Sequence, residues 1–354
     1  MNTGAQQPIV VNILTGFLGA GKTTLLNALL SRPDFSDAAV IINEFGSIGL
    51  DHLLVETIED DTLLLQSGCI CCTIRGDLKQ AILSLFEKRQ SGRIGPFSRL
   101  IIETTGLADP APIVATLTAD LMLKYHFSMG NIVTVVEVPN GQHNIGTYTE
   151  SARQVAVADR LVITKSDIAG PEATQELIST LSIMNPTASI EISDPSNAAA
   201  SLILTEDIHD LTARPADVRR WIAAERYHDH AHTTVQNVNM HGAIRSVSVT
   251  TQNPISWPRF STWLSLLVNR HGEKLLRVKG IIAVEGHSTP VVIHGVQHLI
   301  HKPVHLSEWP DGAKGCVLVF ITDGDIGDIA RSFSAFVEAA PDAGSEISPN
   351  RTHS

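Results

Sequence analysis

Residues 9 to 31, IVVNILTGFLGAGKTTLLNALLS, constrain this chain more than any other stretch. A run of mostly β-branched and apolar residues from Ile9 to Leu14 reads as a buried strand. It breaks at Thr15-Gly16, and a helix rich in Leu and Ala begins at Thr23. Between them, Gly16-Phe17-Leu18-Gly19-Ala20-Gly21-Lys22-Thr23 fits G-x-x-x-x-G-K-[ST] in the strand-loop-helix setting that this pattern requires. Glycines let backbone N–H groups turn inward around phosphate oxygens, and a helix N-terminus adds the positive end of a dipole. The Lys22 ammonium suits β- and γ-phosphates, and the Thr23 hydroxyl suits Mg²⁺. Thr24 continues the same turn. The segment implies binding of a nucleoside triphosphate.

Strands and loops that follow extend this reading. Ala38 to Asn43 reads as a strand leading into Glu44-Phe45-Gly46-Ser47-Ile48-Gly49-Leu50-Asp51. In an open parallel sheet, ligands sit at the carboxyl ends of strands. Glu44 and Asp51 therefore have two readings, contact with Mg²⁺ or the γ-phosphate and a solvated acidic turn. Ser98 to Thr104 reads as a strand ending in Glu103-Thr104-Thr105-Gly106. An acid at that point is the Walker B arrangement, in which it holds or orients Mg²⁺ and its waters. Gly106 permits a close backbone approach to the γ-phosphate. Asn131 to Val138 and Arg160 to Thr164 are further strands. The second runs into Thr164-Lys165-Ser166-Asp167, where GTPases carry N-K-x-D. A carboxylate at Asp167 accepts from both guanine N–H donors, whereas adenine presents the opposite pattern, so GTP is the expected nucleotide. Thr164 stands in place of Asn and removes an amide that would brace the base loop.

Three of the four cysteines lie within four positions, Cys69, Cys71 and Cys72 in SGCICCTIRGD. Thiolates are soft ligands, and three of them can occupy three corners of a tetrahedron around Zn²⁺, leaving one open for exchange. Cobalt and copper(I) are compatible with the same donors. Neighbouring Cys71 and Cys72 make a poor disulfide, and Gly68 with Thr73, Arg75 and Asp77 argues against a buried strand here. The fourth cysteine, Cys316, precedes an apolar run and is expected in a core.

The 354 residues favour about two domains. The expected fold is α/β: a nucleotide-binding domain over residues 1–226 with a mostly parallel sheet flanked by helices, and a smaller α+β domain over 243–340 in the order β-α-β-β-β-α. Residues 227–242 read as a linker holding His228, His230 and His232, with two readings open, a divalent-metal site and a solvated linker. The tail 341–354 is polar and expected to be disordered. His294, His298, His301 and His305 read as mostly exposed strand or loop residues. A formal net charge of −11 gives no bias toward nucleic acid or anionic membrane. No signal peptide or spanning segment is visible, and the cysteine pattern is not a disulfide framework, so a reducing cytoplasm is the expected compartment.

GFLGAGKTT, NEFGSIGLD, GCICCTIRGDL, ETTGLADP and TKSD together resemble the CobW-type metal-chaperone GTPases, relatives of HypB and UreG. The likeness covers roughly Ile9 to Asp167 with specific motifs, and LLRVKG with the following strand is similar to that family's C-terminal domain. It implies GTP and GDP binding by Gly16 to Thr24, a first switch from Glu44 to Asp51, a second at Glu103 and Gly106, a base loop from Thr164 to Asp167, and metal ligation by Cys69, Cys71 and Cys72. Some members also carry Thr for Asn in the base loop. Some relatives have a carboxylate directly before NEFG; here it is Ile42, so a fourth ligand must come from elsewhere. The activity implied is slow GTP hydrolysis coupled to delivery of Zn²⁺, or a similar cation such as Co²⁺, to a client protein. A homo-oligomer formed in response to metal or nucleotide is compatible with that cycle. Alternatives are a metal- or redox-sensing GTP switch without delivery, cobalt supply to a cobalt-dependent pathway, a small-molecule P-loop kinase, and passive metal storage.

Overall fold

In the computed structural model, residues 8–42, 54–59, 62–65, 70–73, 78–193, 237–241, 243–310 and 315–338 are described, those at 54–73 and 237–241 by backbone alone. The first half is a nine-stranded sheet. Its strands are β1 (Ile9–Gly16), β2 (Ala38–Ile42), β3 (Leu54–Glu59), β4 (Thr62–Leu65), β5 (Ile70–Thr73), β6 (Arg99–Glu103), β7 (Phe127–Glu137), β8 (Arg160–Thr164) and β9 (Ser189–Ile192). Their order across the sheet is β3-β4-β5-β2-β6-β1-β7-β8-β9. From β5 to β9 every pairing is parallel, and β3-β4-β5 add an antiparallel edge. β1 lies centrally between β6 and β7 and is buried along nearly its whole length, as its continuous apolar run requires of a strand covered on both faces.

Helices cover both faces. Leu25, Leu26, Leu29 and Leu30 of α1 (Lys22–Leu30) recur at helical spacing and pack with Phe35, Val40 and Val133 on one face. The other face carries α2 (Leu78–Gln90), α3 (Ala111–Ala119), α4 (Leu121–His126), α5 (Val138–Thr147), α6 (Thr149–Val157), α7 (Ser166–Ala169) and α8 (Pro171–Met184) as the chain proceeds, with Ile82, Val114, Val155 and Leu181 contributing to its core.

The second half is an antiparallel sheet of β10 (Asn237–His241), β11 (Ile244–Thr251), β12 (Leu275–Ile282), β13 (Val291–Val296), β14 (Leu299–Ile300), β15 (Val304–His305) and β16 (Cys316–Asp323), ordered β10-β11-β16-β12-β13-β14 with β15 on β13. One face packs on α9 (Trp257–His271) and α10 (Ile329–Phe333, continued by a π-turn to Glu338), around Phe260, Trp263, Phe320 and Phe333. Ile244, Leu276, Val296 and Ile321 on the opposite face join the core of the first half. The chain is therefore an α/β sheet domain with a separate antiparallel-sheet domain, as expected from its pattern.

Four details differ from the sequence expectation. Ile70–Thr73 form β5 although flanking polar residues argued against a strand, because β2 and β4 both offer it hydrogen-bonding edges. Asn237–His241, inside the segment read as a linker, pair with β11. Ser189–Ile192, read as connector, complete the parallel sheet. His294 is buried rather than exposed, since β13 pairs with β12 and its Nε2 faces Asp159 at 4.0 Å; His298 and His305 are exposed and His301 is half-buried. Glu44, Asp51, Cys69 and the histidines of 228–232 lie outside the described residues.

Candidate functional site

At the carboxyl end of β1 the chain turns through Gly16 to Gly21 before α1 starts at Lys22. Gly16 has φ +141°, and a Cβ there would stand 2.3 Å from the Val135 carbonyl oxygen of β7. Only glycine permits that approach. Gly19 and Gly21 also take positive φ, and the Ala20 N–H closes the turn by donating to the Phe17 carbonyl at 3.2 Å. Lys22 is buried inside the loop, where Nζ donates to the carbonyls of Gly16 (2.9 Å) and Phe17 (3.2 Å). Leu18, Gly19 and Thr24 are exposed. The result is a concave run of backbone groups around one ammonium, a shape and charge suited to an anion.

Across the floor of this loop the Thr23 hydroxyl donates to Glu103 Oε1 at 2.7 Å. Eighty residues separate the two in sequence, and the parallel pairing of β1 with β6 brings them together. Glu103 is buried. A hydroxyl oxygen and a buried carboxylate at the mouth of a phosphate-shaped loop are hard oxygen donors, the set that Mg²⁺ takes. Gly106 follows on the loop after β6, and a Cβ on it would lie 2.6 Å from the Leu18 backbone nitrogen. The loop thus packs its backbone directly on the glycine-rich turn.

The base loop closes the other side. Thr164 Oγ1 donates to the Ala20 carbonyl at 2.7 Å, and Lys165 Nζ donates to the Gly19 carbonyl at 2.8 Å. The brace expected to be lost with Asn is supplied by the threonine hydroxyl. Lys165 itself takes a left-handed backbone (φ 58°) and forms an ion pair with buried Glu137, whose other oxygen accepts from Asn140 Nδ2 at 2.9 Å. Asp167 is exposed on α7, free to meet a ligand from solvent.

Sequence reasoning did not single out Glu137, Arg153 or Gln154. Glu137 ends β7, beside β1, so the rule that ligands gather at strand carboxyl ends was a usable signal. Gln154 is fully buried, and its Nε2 donates to the carbonyls of Gly106 (3.1 Å) and Ala108 (2.9 Å). Nothing in the local pattern of α6 announces that contact.

Of the thiol cluster, Cys71 and Cys72 fall on β5. The backbone register runs Cys72–Ile41–Ile102 and then Thr73–Ile42–Glu103 across β5, β2 and β6. The cysteine strand thus stands two strands from Glu103, roughly 10 Å at the usual strand spacing. Among the described residues, no group of three or more His, Cys, Asp or Glu is assembled to hold a metal ion.

Comparison with known proteins bears on both halves. A family model described as the CobW/HypB/UreG nucleotide-binding domain matches residues 10–191, and the cobalamin synthesis protein cobW C-terminal domain matches 244–337. The protein named zinc chaperone YjiA of Escherichia coli (strain K12) is 30% identical over 319 residues, covering 89% of this chain and 94% of that one. Zinc-regulated GTPase metalloprotein activator 1 of Schizosaccharomyces pombe is 35% identical over 190 residues, 52% of this chain and 45% of its own. A crystal structure of Zn(II)-bound YjiA GTPase from E. coli superposes with TM-score 0.70 at 28% identity, covering 94% of this chain and 99% of that one.

Proposed function

The chain belongs to the CobW/HypB/UreG family and is a GTPase, and we propose that it spends GTP hydrolysis on carrying Zn²⁺ from the Cys69, Cys71 and Cys72 thiolates to a client protein. Zinc is named for relatives that match most or half of the chain, and three soft thiolates suit it. The observation that carries the proposal is the register joining Cys72 and Thr73 on β5 to Ile102 and Glu103 on β6 through β2. A change at the nucleotide's γ-phosphate felt at Glu103 has a short, hydrogen-bonded path to the thiol strand.

The triphosphate would lie along Gly16 to Thr24. Lys22, released from the Gly16 and Phe17 carbonyls, meets the developing charge on the transferred phosphoryl group. Mg²⁺ would be held by Thr23 with Glu103 beside it, and supplies charge neutralisation at the phosphates when bound. Backbone N–H groups of the glycine turn and of Gly106 complete the anionic surround, and Lys165 and Asp167 select guanine. A water molecule attacks the γ-phosphate, giving GDP and phosphate. Loss of the γ-phosphate frees the loop at Gly106, relaxes the sheet edge that carries the thiols, and lets zinc pass by ligand exchange. Co²⁺ is a second cargo that the same donors accept. The client is a metal-requiring protein, and the cytoplasm is the compartment where free thiolates persist. Among the described residues, no helix is long and apolar enough to cross a membrane.

The test is an anaerobic zinc titration of the reduced protein with GDP and with a non-hydrolysable GTP analogue, alongside a variant with Cys69→Ser, Cys71→Ser and Cys72→Ser. One tight equivalent, lost in the variant and differing in affinity between nucleotides, supports delivery. Binding that is absent, survives the variant or ignores the nucleotide overturns it.

A further inference from the structure

Helix α6 touches three things that the proposed cycle must connect. At its start, the Tyr148 ring stacks on Phe17 of the glycine-rich turn, with centroids 4.7 Å apart. In its middle, buried Gln154 donates through Nε2 to the carbonyls of Gly106 and Ala108, and its own carbonyl accepts from Thr134 Oγ1 of β7 at 2.7 Å. At its end, the Val157 carbonyl accepts from Arg277 Nη1 of β12 at 3.0 Å. Arg153, one residue before Gln154, bridges the two domains directly. Its Nε and Nη2 donate to Asp323 Oδ2 of β16 at 2.9 and 2.7 Å, and its Nη1 lies 3.7 Å from Asp109 Oδ2. Asp109 ends the loop that begins at Gly106, and its other oxygen accepts from the Ala111 N–H at 2.9 Å, fixing the start of α3.

Two adjacent side chains therefore hold one short loop from two sides. Gln154 grips its carbonyls, which leaves the loop's N–H groups to face the nucleotide. Arg153 shares its charge between the loop's carboxylate and a carboxylate of the antiparallel domain. We propose that Gln154 and Arg153 are positioning residues for GTP hydrolysis, and that through Arg153 the C-terminal domain's Asp323 sets the loop at Gly106 to Asp109. The inference rests on GTP hydrolysis by this chain and is independent of which metal, if any, is carried. The C-terminal domain then acts as part of the hydrolytic apparatus as well as a platform for other partners. A client that engaged the sheet near Asp323 would change turnover at a site it never touches.

The geometry makes the distinction from a purely structural salt bridge measurable. Asp323 touches neither the glycine turn nor the base loop, so removing it should leave nucleotide capture intact and slow the chemical step. Steady-state GTP hydrolysis by the full-length protein, with kcat and KM separated, is the experiment. Asp323→Asn and Arg153→Gln are each expected to lower kcat about five- to tenfold with KM for GTP changed less than twofold. The double variant is expected to fall no further than the lower single, because both changes remove one contact. Gln154→Glu, which replaces the donor facing two carbonyls by an acceptor, is expected to lower kcat at least tenfold, and Arg153→Lys to recover part of the loss seen in Arg153→Gln. Arg245→Gln serves as the control: it breaks a comparable pair with Asp325 on the same edge of the second sheet, away from the loop. If Asp323→Asn melts earlier than wild type yet keeps its kcat, or if Arg245→Gln loses as much kcat as Asp323→Asn, the proposal falls. A wild-type protein that hydrolyses no GTP would instead remove the activity on which it rests.

Discussion

The guanidinium of Arg277 on β12 is buried against the carboxylate of Asp159, at the junction of α6 and β8 in the other domain. Lys279 Nζ reaches the same oxygen at 2.8 Å, and the second oxygen accepts the Ile132 N–H at 3.0 Å. Three side chains that are each at most 4% exposed thus place two cations on one anion between the domains. A buried pair of this kind contributes little over an apolar replacement, but removing one partner strands the rest. Asp159→Asn is expected to destabilise the protein by about 3–5 kcal/mol, measured as a shift in the urea midpoint.

The same cluster fixes an acid limit. Burial pushes the Asp159 carboxyl up, and the charges of Arg277 and Lys279 outweigh it, holding it down to about 2 from an ordinary 3.8. In the unfolded chain the group takes up its proton first as pH falls. Its stabilisation is therefore complete above about pH 4 and lost progressively toward pH 2, on the order of 2 kcal/mol. Urea midpoints followed from pH 5 to pH 2 should fall more steeply in wild type than in Asp159→Asn; parallel curves would refute the assignment.

Thr164 makes the prediction about nucleotide affinity. Its hydroxyl is the brace on Ala20, so Thr164→Val, equal in shape and lacking the donor, leaves that carbonyl without it. A loss of about 1 kcal/mol, some fivefold in affinity for GDP, is expected, and Thr164→Asn should retain near-normal binding. Isothermal titration with GDP decides it.

Gly106→Ala probes the contact between the two loops. The added methyl would press on the Leu18 backbone, which has no flexible end to swing aside. Displacement of the loop should cut kcat for GTP at least tenfold, by the measure used for removing a transition-state hydrogen-bond donor, while far-ultraviolet circular dichroism stays unchanged.

The fourth cysteine separates itself by chemistry. Burial pushes the Cys316 thiol up to about 12, only partly opposed by the Ala283 N–H that donates to its sulfur. In native, metal-free protein at pH 8, Cys316 should resist alkylation, with the fourth equivalent reacting only after denaturation. Peptide mapping after iodoacetamide treatment reads this directly; rapid native labelling of Cys316 would contradict its burial.

Much of the nucleotide site was legible because its parts are local. Gly16 to Thr23 carry their conformation in consecutive residues, and the apolar runs of β1, β6, β7 and β8 announce buried parallel strands whose carboxyl ends collect Glu103 and Thr164 to Asp167. The amino-acid order by itself determined the α/β class, the phosphate loop, the base loop and the thiol cluster as a unit, since each depends on spacing within a few residues. It also placed Cys316 in a core, where the structure finds it.

Only tertiary structure decided which distant residues meet. Nothing near Gln154 marks it as the holder of Gly106 and Ala108, 46 to 48 residues earlier, and nothing near His294, Arg277 or Lys279 reveals that Asp159 lies between them. Ile70–Thr73 looked too polar in their surroundings to be a strand, yet β2 and β4 supply edges that satisfy their backbone. Local pattern reports what a segment can bury. Pairing and docking across more than a hundred residues depend on the free energy of the whole packed assembly, as in the contact from Asp159 to Arg277 that seats one domain on the other.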